Sequence, residues 1–199
     1  MSKGRRERGA VLEYPTLEQM EEEIAYLKYR KKYGSALRGT IYSLAVVAAI
    51  AILIATLWMP VLQITGASMT PTLVDGQFVV AVKSNEFQPG DITAFYYNNK
   101  ILIKRVIASA GDWVNLDEAG NVYVNGVLLE EPYLPEKALG ECNIELPYQV
   151  PDGKVFVMGD DRAVSLDSRT TAVGPVSKEQ VLGRVLFRVW PFGELGRIE

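Results

Sequence analysis

Residues 101–107 read Ile-Leu-Ile-Lys-Arg-Val-Ile, an aliphatic and β-branched run that contains two adjacent cations. Such a run is typical of a β-strand. Because side chains alternate between the two faces of a strand, Lys104 shares one face with Leu102 and Val106, while Arg105 lies on the other face. One of the two cations must therefore lie on an apolar face. Lys104 is either a charge that protects an edge strand or a buried lysine with a chemical role.

Short segments of this kind recur throughout residues 63–199, and dipeptides that favour turns separate them. The turn dipeptides are Asp75-Gly76, Pro89-Gly90, Asn98-Asn99, Gly111-Asp112, Gly120-Asn121 and Asn125-Gly126. We predict strands at about 77–83, 91–97, 101–109, 113–117, 121–124, 127–130, 153–158 and 183–190, and a short helix at about 178–182. Turns spaced this closely predict a mainly β domain, an antiparallel, partly open barrel or sandwich, with an irregular cap at about 113–152.

A long uncharged stretch precedes this domain. No charged residue lies between Gly39 and Val74, and residues 41–62 would form a helix roughly 30 Å long at ~1.5 Å per residue, which is enough to cross a bilayer. We predict one transmembrane helix at 39–62. A cleavable signal peptide and a buried hairpin helix are the alternatives. The length of the stretch and the 38-residue, mostly polar segment before it favour the membrane span.

The N-terminal segment, residues 1–38, differs in charge from the rest of the chain. It holds nine Lys or Arg against six Glu, whereas residues 39–199 hold twelve against eighteen Asp or Glu. Basic residues before a span predict a cytoplasmic N-terminus and an extracytoplasmic β-domain. We give nucleic-acid binding little weight. Residues 1–12 are predicted to be disordered, and a capping box at 16–19 predicts a short amphipathic helix or a dimerising coiled coil.

The composition excludes several kinds of chemistry. The chain has no histidine, so a Ser-His-Asp triad, a Cys-His dyad and the His-based zinc protease motifs are impossible. The single Cys142 forms neither an intramolecular disulfide nor a Cys-rich metal site. We therefore expect no metal. If a serine acts as a nucleophile here, a residue other than histidine must take its proton.

Ser68 is the candidate nucleophile. It follows the uncharged stretch in the run Gly-Ala-Ser-Met-Thr-Pro, residues 66–71. Pro71 fixes its own φ and pushes Thr70 towards an extended conformation, so this loop is stiff. Gly66 leaves room for another backbone. An ordinary turn serine would look the same, and Lys104 could serve as its base only if burial lowered a pKa that is about 10.4 in water.

A third cluster of polar residues lies at 159–169. Its three carboxylates, two arginines and two serines could form a solvated loop or a buried network that orients a base. Asp160 or Asp167 paired with Arg169 would be a structural ion pair. The Ser165 hydroxyl could hold an uncharged lysine amine by accepting its hydrogen bond.

Taken in order, these segments resemble the boxes of bacterial type I signal peptidases of the Gram-positive, single-span type. The matching segments are Ser68-Met69-x-Pro71-Thr72-Leu73, Gly90-Asp91-Ile92, Lys104-Arg105-Val106-Ile107, Gly111-Asp112, Gly159-Asp160-x-Arg162 and Ser165-x-Asp167-Ser168-Arg169. Each box alone is modest. Their order after a single membrane anchor makes the resemblance specific.

The resemblance implies a membrane-bound serine endopeptidase that cleaves N-terminal signal peptides from exported preproteins by a Ser/Lys dyad. Ser68 would be the nucleophile, Lys104 the general base and Ser165 the residue that steadies it, and no cofactor is needed. Asp160, Asp167 and Arg169 would be structural supports. The residues expected to line small apolar substrate pockets are Leu62, Ile64, Leu73 and Ile103.

The same resemblance implies a single-pass protein of the cell membrane that works on preproteins near the secretion machinery. Two rival interpretations stay open at this point. A self-cleaving repressor-type Ser/Lys protease would share the β-core but would have no use for the span. A catalytically silent, membrane-tethered β-domain would need neither the 159–169 cluster nor a lysine on an apolar strand.

Overall fold

One helix, α1 (Leu17–Trp58), forms the N-terminal part of the computed structural model, which describes residues 15–84 and 86–198. It begins at the predicted capping box, where the Gln19 amide donates to Thr16 Oγ1 and the Thr16 amide donates to Gln19 Oε1. The most apolar part of α1 has a mean hydropathy of 2.4 and is long enough to cross a membrane. The predicted disorder of residues 1–12 lies outside the described residues.

The helix differs from the sequence prediction in two ways. The amphipathic segment and the apolar span form one continuous helix rather than two. This helix ends at Trp58 and not at residue 62, because Pro60 lacks an amide hydrogen and its ring disfavours helical backbone before it. Val61–Gln63 then forms the first strand, so the β-domain begins a little earlier than expected.

Two antiparallel sheets form the β-domain. Its twelve strands within the described residues are β1 (Val61–Gln63), β2 (Phe78–Val82), β3 (Ile92–Tyr97), β4 (Lys100–Ser109), β5 (Trp113–Leu116), β6 (Val122–Val124), β7 (Val127–Leu128), β8 (Tyr148–Gln149), β9 (Lys154–Met158), β10 (Val176–Ser177), β11 (Val181–Trp190) and β12 (Gly196–Arg197). The large sheet has the order β1-β2-β11-β3-β4-β9-β10, with β12 beside β11. The sheet stays open, and the predicted mainly β, antiparallel fold is confirmed.

The smaller sheet, of order β7-β6-β5-β8, occupies the region predicted as an irregular cap. Residues 113–128 of that region form two tight hairpins from the three strands predicted there, because turns at 117–121 and at Asn125-Gly126 bring these strands together. Residues 129–147 contain neither helix nor strand, as expected for the cap. This segment, which we call the cap segment, passes next to the 159–169 loop.

All eight predicted strands are present, with ends within a few residues of the prediction. Four strands of two or three residues were not predicted: β1, β8, β10 and β12. The predicted helix at 178–182 is a single 3₁₀ turn, Lys178–Gln180. Strands this short give no alternation that a sequence pattern can show.

The loop that carries Ser68 is anchored in the core of the β-domain. Ile64, Met69 and Leu73 are buried together with apolar residues of β2, β3 and β11. Burial of each such side chain contributes roughly 1.5–3 kcal/mol. Three apolar anchors within residues 64–73 therefore hold the candidate nucleophile at a defined place on the sheet.

Candidate active site

Ser68 lies in a stiff loop between β1 and β2. Gly66 adopts a φ of +86°, which glycine tolerates well, and its amide donates to Asp75 Oδ1 at 2.8 Å. The Thr70 amide donates to the Ala67 carbonyl at 2.9 Å, and the Leu73 amide donates to the Met69 carbonyl at 2.8 Å. These turn hydrogen bonds make residues 67–73 one compact segment with Ser68 near its start.

Lys104 lies against Ser68, as the sequence predicts. Strand β4 carries Lys104, whose side chain is 2% exposed, and its Nζ donates to Ser68 Oγ at 2.6 Å. The two residues are 36 positions apart in the chain. Pairing of β3 with β4, in which Thr93 is opposite Lys104, fixes the lysine on the sheet.

Burial lowers the pKa of Lys104 from its ordinary 10.5 to about 8. Loss of water around the ammonium is the main cause. The charge of Arg169 lowers the pKa further, whereas Asp167 and Asp160 act in the opposite direction. The change corresponds to roughly 3 kcal/mol against the charged form. A substantial share of Lys104 is therefore an uncharged amine at mildly alkaline pH, and an uncharged amine can accept a proton.

Asp160 connects the serine loop with the lysine strand. Its carboxylate accepts two hydrogen bonds from Arg105, at 2.9 Å from Nε and 2.8 Å from Nη2, and a third from Thr72 Oγ1 at 2.5 Å. Arg105 directly follows Lys104, and Thr72 lies four residues after Ser68. This buried, bidentate pair thus ties together the two segments that carry the dyad.

The sequence left the partner of Arg169 open between two aspartates, and the structure places Arg169 against Asp167. Arg169 Nε and Nη2 donate to the Asp167 carboxylate at 2.9 and 2.8 Å, and both side chains are fully buried. The Gly159 amide also donates to Asp167, at 3.0 Å. Asp167 therefore ties the two ends of the 159–169 loop together, whereas Asp160 connects the start of that loop with Arg105.

This loop also contacts Ser68 directly. The Asp161 amide donates to the Ser68 carbonyl at 3.1 Å. A Cβ at Gly159 would collide with that carbonyl and with Ser165 Oγ. Ser165 is therefore close to the dyad, but the expected hydrogen bond between Ser165 and Lys104 does not form in the described chain. The lysine amine donates to Ser68 instead, and the buried Ser165 Oγ is left without a partner.

A cleft of about 300 Å³ opens above the dyad. Its walls are residues 63–65 and 100–103, together with Met69. Ile64 and Ile103 line this cleft, as predicted. Leu62 and Leu73 were expected to line it but do not. Leu73 is fully buried in the core, and Leu62 packs against that core while its two neighbours on β1 are exposed.

Both walls of the cleft have unpaired strand edges. Strand β1 is the last strand of the large sheet. Strand β4 pairs with β9 only from Arg105 onwards, so residues 100–104 pair with β3 alone. Each wall can therefore form hydrogen bonds with an extended peptide.

Several residues that support the site were not assigned this role from the sequence. Arg162 donates to the Gly159 carbonyl at 3.0 Å and pairs with Glu131 of the cap segment at 2.5 Å. The ring of Tyr133 lies 3.9 Å from the Arg105 guanidinium. Arg105 and Arg162 lie in segments that the resemblance matched, but no pattern in the sequence pointed to their partners. Pairings across 30 to 88 residues leave no local pattern.

Within residues 15–84 and 86–198, no group of three or more Cys, Asp or Glu side chains is placed to hold a metal ion. A serine next to a buried lysine, at the floor of a cleft with two open strand edges, is an arrangement typical of a serine hydrolase. The family comparison is more specific. The chain belongs to the signal peptidase family, peptidase S26, whose model matches residues 37–190.

Sequence comparison with individual proteins supports this family assignment. The chain is 36% identical to signal peptidase I of Bacillus licheniformis over 149 residues, which cover 68% of this chain and 79% of that protein. It is 36% identical to signal peptidase IB of Staphylococcus aureus (strain COL) over 174 residues, which cover 77% and 90%. It is 37% identical to the chloroplastic thylakoidal processing peptidase 1 of Arabidopsis thaliana over 146 residues, which cover 65% of this chain but only 41% of that protein.

A crystal structure of a signal peptidase I from Enterococcus faecalis V583 is 30% identical, with a TM-score of 0.43, and covers 50% of this chain and 96% of that one. From the family model and the bacterial relatives, this chain is a serine peptidase that cleaves signal peptides from exported preproteins. The candidate membrane helix α1 is consistent with a membrane-anchored enzyme.

Proposed function

We propose that Ser68 and Lys104 are the catalytic dyad that carries out this cleavage. The observation that carries the proposal is the 2.6 Å contact between Ser68 Oγ and the buried Lys104 amine. In its uncharged form the amine accepts the serine proton while Oγ attacks the carbonyl carbon of the scissile bond. Lys104 then passes this proton to the leaving amine. A water activated by the same amine hydrolyses the acyl-enzyme.

The oxyanion of the tetrahedral intermediate needs donors that are already in place. We assign the backbone amide of Ser68 to this role. Within the described part of the chain this amide donates no hydrogen bond, so it is available to a substrate oxygen. Gly66, two residues earlier, offers no side-chain hydroxyl. The Ser68 carbonyl is held by Asp161, which keeps the adjoining peptide units in place.

Substrate recognition follows from the two open edges. The cleavage segment of a signal peptide is extended and carries small residues at positions one and three before the cut. We propose that it lies between β1 and residues 100–104 as an added strand, with alternate side chains against Ile64 and Ile103. Such walls exclude bulky side chains by overlap, and they discriminate a single methylene by only ~1–3 kcal/mol.

The direct test is cleavage of a preprotein by the detergent-solubilised protein, with the cut site read by mass spectrometry. S68A and K104A should each abolish cleavage, and the double variant should be no worse than either, because the two residues act as one unit. K83A removes an exposed lysine outside the cleft and serves as the control. Substantial activity in K104A would remove Lys104 from the mechanism. No cleavage by the unaltered protein would favour a silent binding domain.

We further propose that the N-terminus is cytoplasmic and that the β-domain lies outside the cell membrane, near the secretion machinery that delivers its substrates. Five Lys or Arg between residues 28 and 38, just before the apolar part of α1, support this orientation. Protease added to intact spheroplasts should digest the β-domain. Digestion of the N-terminal segment instead would reverse the assignment. Crosslinking from the β-domain during export should capture secretion components.

A further inference from the structure

Strand β11 places an arginine against the serine loop. Arg188 Nη2 donates to the Thr72 carbonyl at 2.6 Å, and Nη1 donates to Glu194 Oε2 at 2.9 Å. The pairing of β11 with β2 shifts register on both sides of residues 187–188. Bulges of this kind re-aim side chains and are common next to active sites. No sequence motif had pointed to Arg188.

Thr72 is where this arginine meets the dyad supports. Its hydroxyl donates to Asp160, the aspartate bound by Arg105 of the lysine strand. Its carbonyl accepts from Arg188. One residue of the serine loop is therefore fixed from two strands of the large sheet, β4 through an aspartate and β11 directly. The contact through Asp160 fixes Thr72 relative to the strand of Lys104, and the contact with Arg188 keeps the serine loop against β11.

A displacement of Thr72 would reach Ser68. The turn hydrogen bonds between residues 67 and 70 and between residues 69 and 73 link the two positions within a few residues. The contact at stake is the 2.6 Å distance between Ser68 Oγ and Lys104 Nζ. A misplacement of about 1 Å in reacting groups can cost about 10²-fold in rate.

We propose that Arg188 is a positioning residue for signal-peptide cleavage, which holds Ser68 at hydrogen-bond distance from Lys104 through the Thr72 carbonyl. The inference rests on the dyad proposed above. The ion pair of Arg188 with Glu194 is half exposed at the carboxylate, and such pairs add little stability. The contact through which Arg188 affects the rate is its hydrogen bond to the Thr72 carbonyl. Arg188 does not touch the cleft, so substrate affinity should not depend on it.

The test compares R188M with R184M as a matched control. Arg184 lies on the same strand four residues earlier, but its side chain pairs with Asp91 and not with the serine loop. We expect R188M to lower kcat by about 10- to 100-fold with KM changed less than about twofold. The rise of kcat/KM with pH should occur at higher pH in R188M, because a displaced Ser68 leaves Lys104 more hydrated and its pKa closer to that of a free lysine. R184M should behave as the unaltered enzyme. R188K keeps a donor for the Thr72 carbonyl and should recover most of the rate.

Several outcomes would overturn the proposal: unchanged kcat in R188M, an equal loss in R184M, or a loss confined to KM. Thermal unfolding of each variant shows whether R188M folds. If it does not, R188Q, whose side chain is too short to reach Thr72, replaces it in the same comparison. Failure of the dyad itself would be visible separately, as retained cleavage by S68A. In a failure of the present inference, S68A stays inactive while R188M stays fully active.

Discussion

Raising the pH from 6 to 9 should activate the enzyme through Lys104, because the reaction needs the uncharged amine. With a pKa of about 8, roughly 1% of Lys104 is uncharged at pH 6, about 9% at pH 7, about half at pH 8 and about 91% at pH 9. We therefore expect kcat/KM to rise about tenfold from pH 6 to 7 but only about twofold from pH 8 to 9. A lysine at its ordinary 10.5 would give tenfold steps throughout this range.

The measurement is initial cleavage rate of a peptide that spans a signal-peptide cut site, at low substrate concentration and constant ionic strength. The K83A variant controls for general effects of lysine charge, and its kcat/KM should rise with pH in the same way as that of the unaltered enzyme. Unfolding should be followed at each pH, so that loss of structure is not mistaken for titration. A profile that is flat from pH 6 to 9, or an optimum near pH 5, would refute the assignment of Lys104 as the base.

Three further predictions concern the surroundings of the dyad. G159A should inactivate the enzyme, because the new methyl group would collide with the Ser68 carbonyl, whereas G193A, where the methyl group meets open space, should be fully active in the same cleavage assay. S165A should lower kcat with little change in KM, because Ser165 lies beside the Ser68 carbonyl and does not line the cleft; a change confined to KM would assign it to substrate binding. Replacing Ile64 and Ile103 together with alanine should widen the cleft and add cut sites, detectable by mass spectrometry, and an unchanged cut site at normal rate would place the pockets elsewhere.

The sequence predicts those parts of the fold in which a pattern repeats over several residues. Strands β4 and β11, of ten residues each, show apolar runs between clear turns, and both were located. Strand β1 was hidden because its three residues continue the apolar span, although Pro60 marked the end of the helix. Gly34 and Gly39 lie within α1 and do not divide it, since an isolated glycine costs a helix only ~1 kcal/mol.

In the candidate site, too, the sequence predicts the residues that lie in short motifs and not the contacts between distant segments. Ser68 and Lys104 could be identified because each lies in a short motif and the order of the motifs is specific. The supports could not be paired from the sequence: Asp160 binds Arg105 at a separation of 55 residues, and Arg188 reaches Thr72 at a separation of 116. Such contacts depend on how strands are arranged in the sheet, which local patterns do not encode.

The open edge of β4 has a consequence for the accuracy of cleavage. In the proposed binding mode, a peptide added beside residues 100–104 would be held by backbone groups that repeat along the strand, and its side chains would alternate between the cleft walls and solvent. A slip by one residue exchanges the two sets of side chains, so residues that faced solvent would meet Ile64 and Ile103. A slip by two residues restores the alternation. Miscleavage should therefore occur mainly two residues from the normal site, and fidelity becomes a matter of strand register.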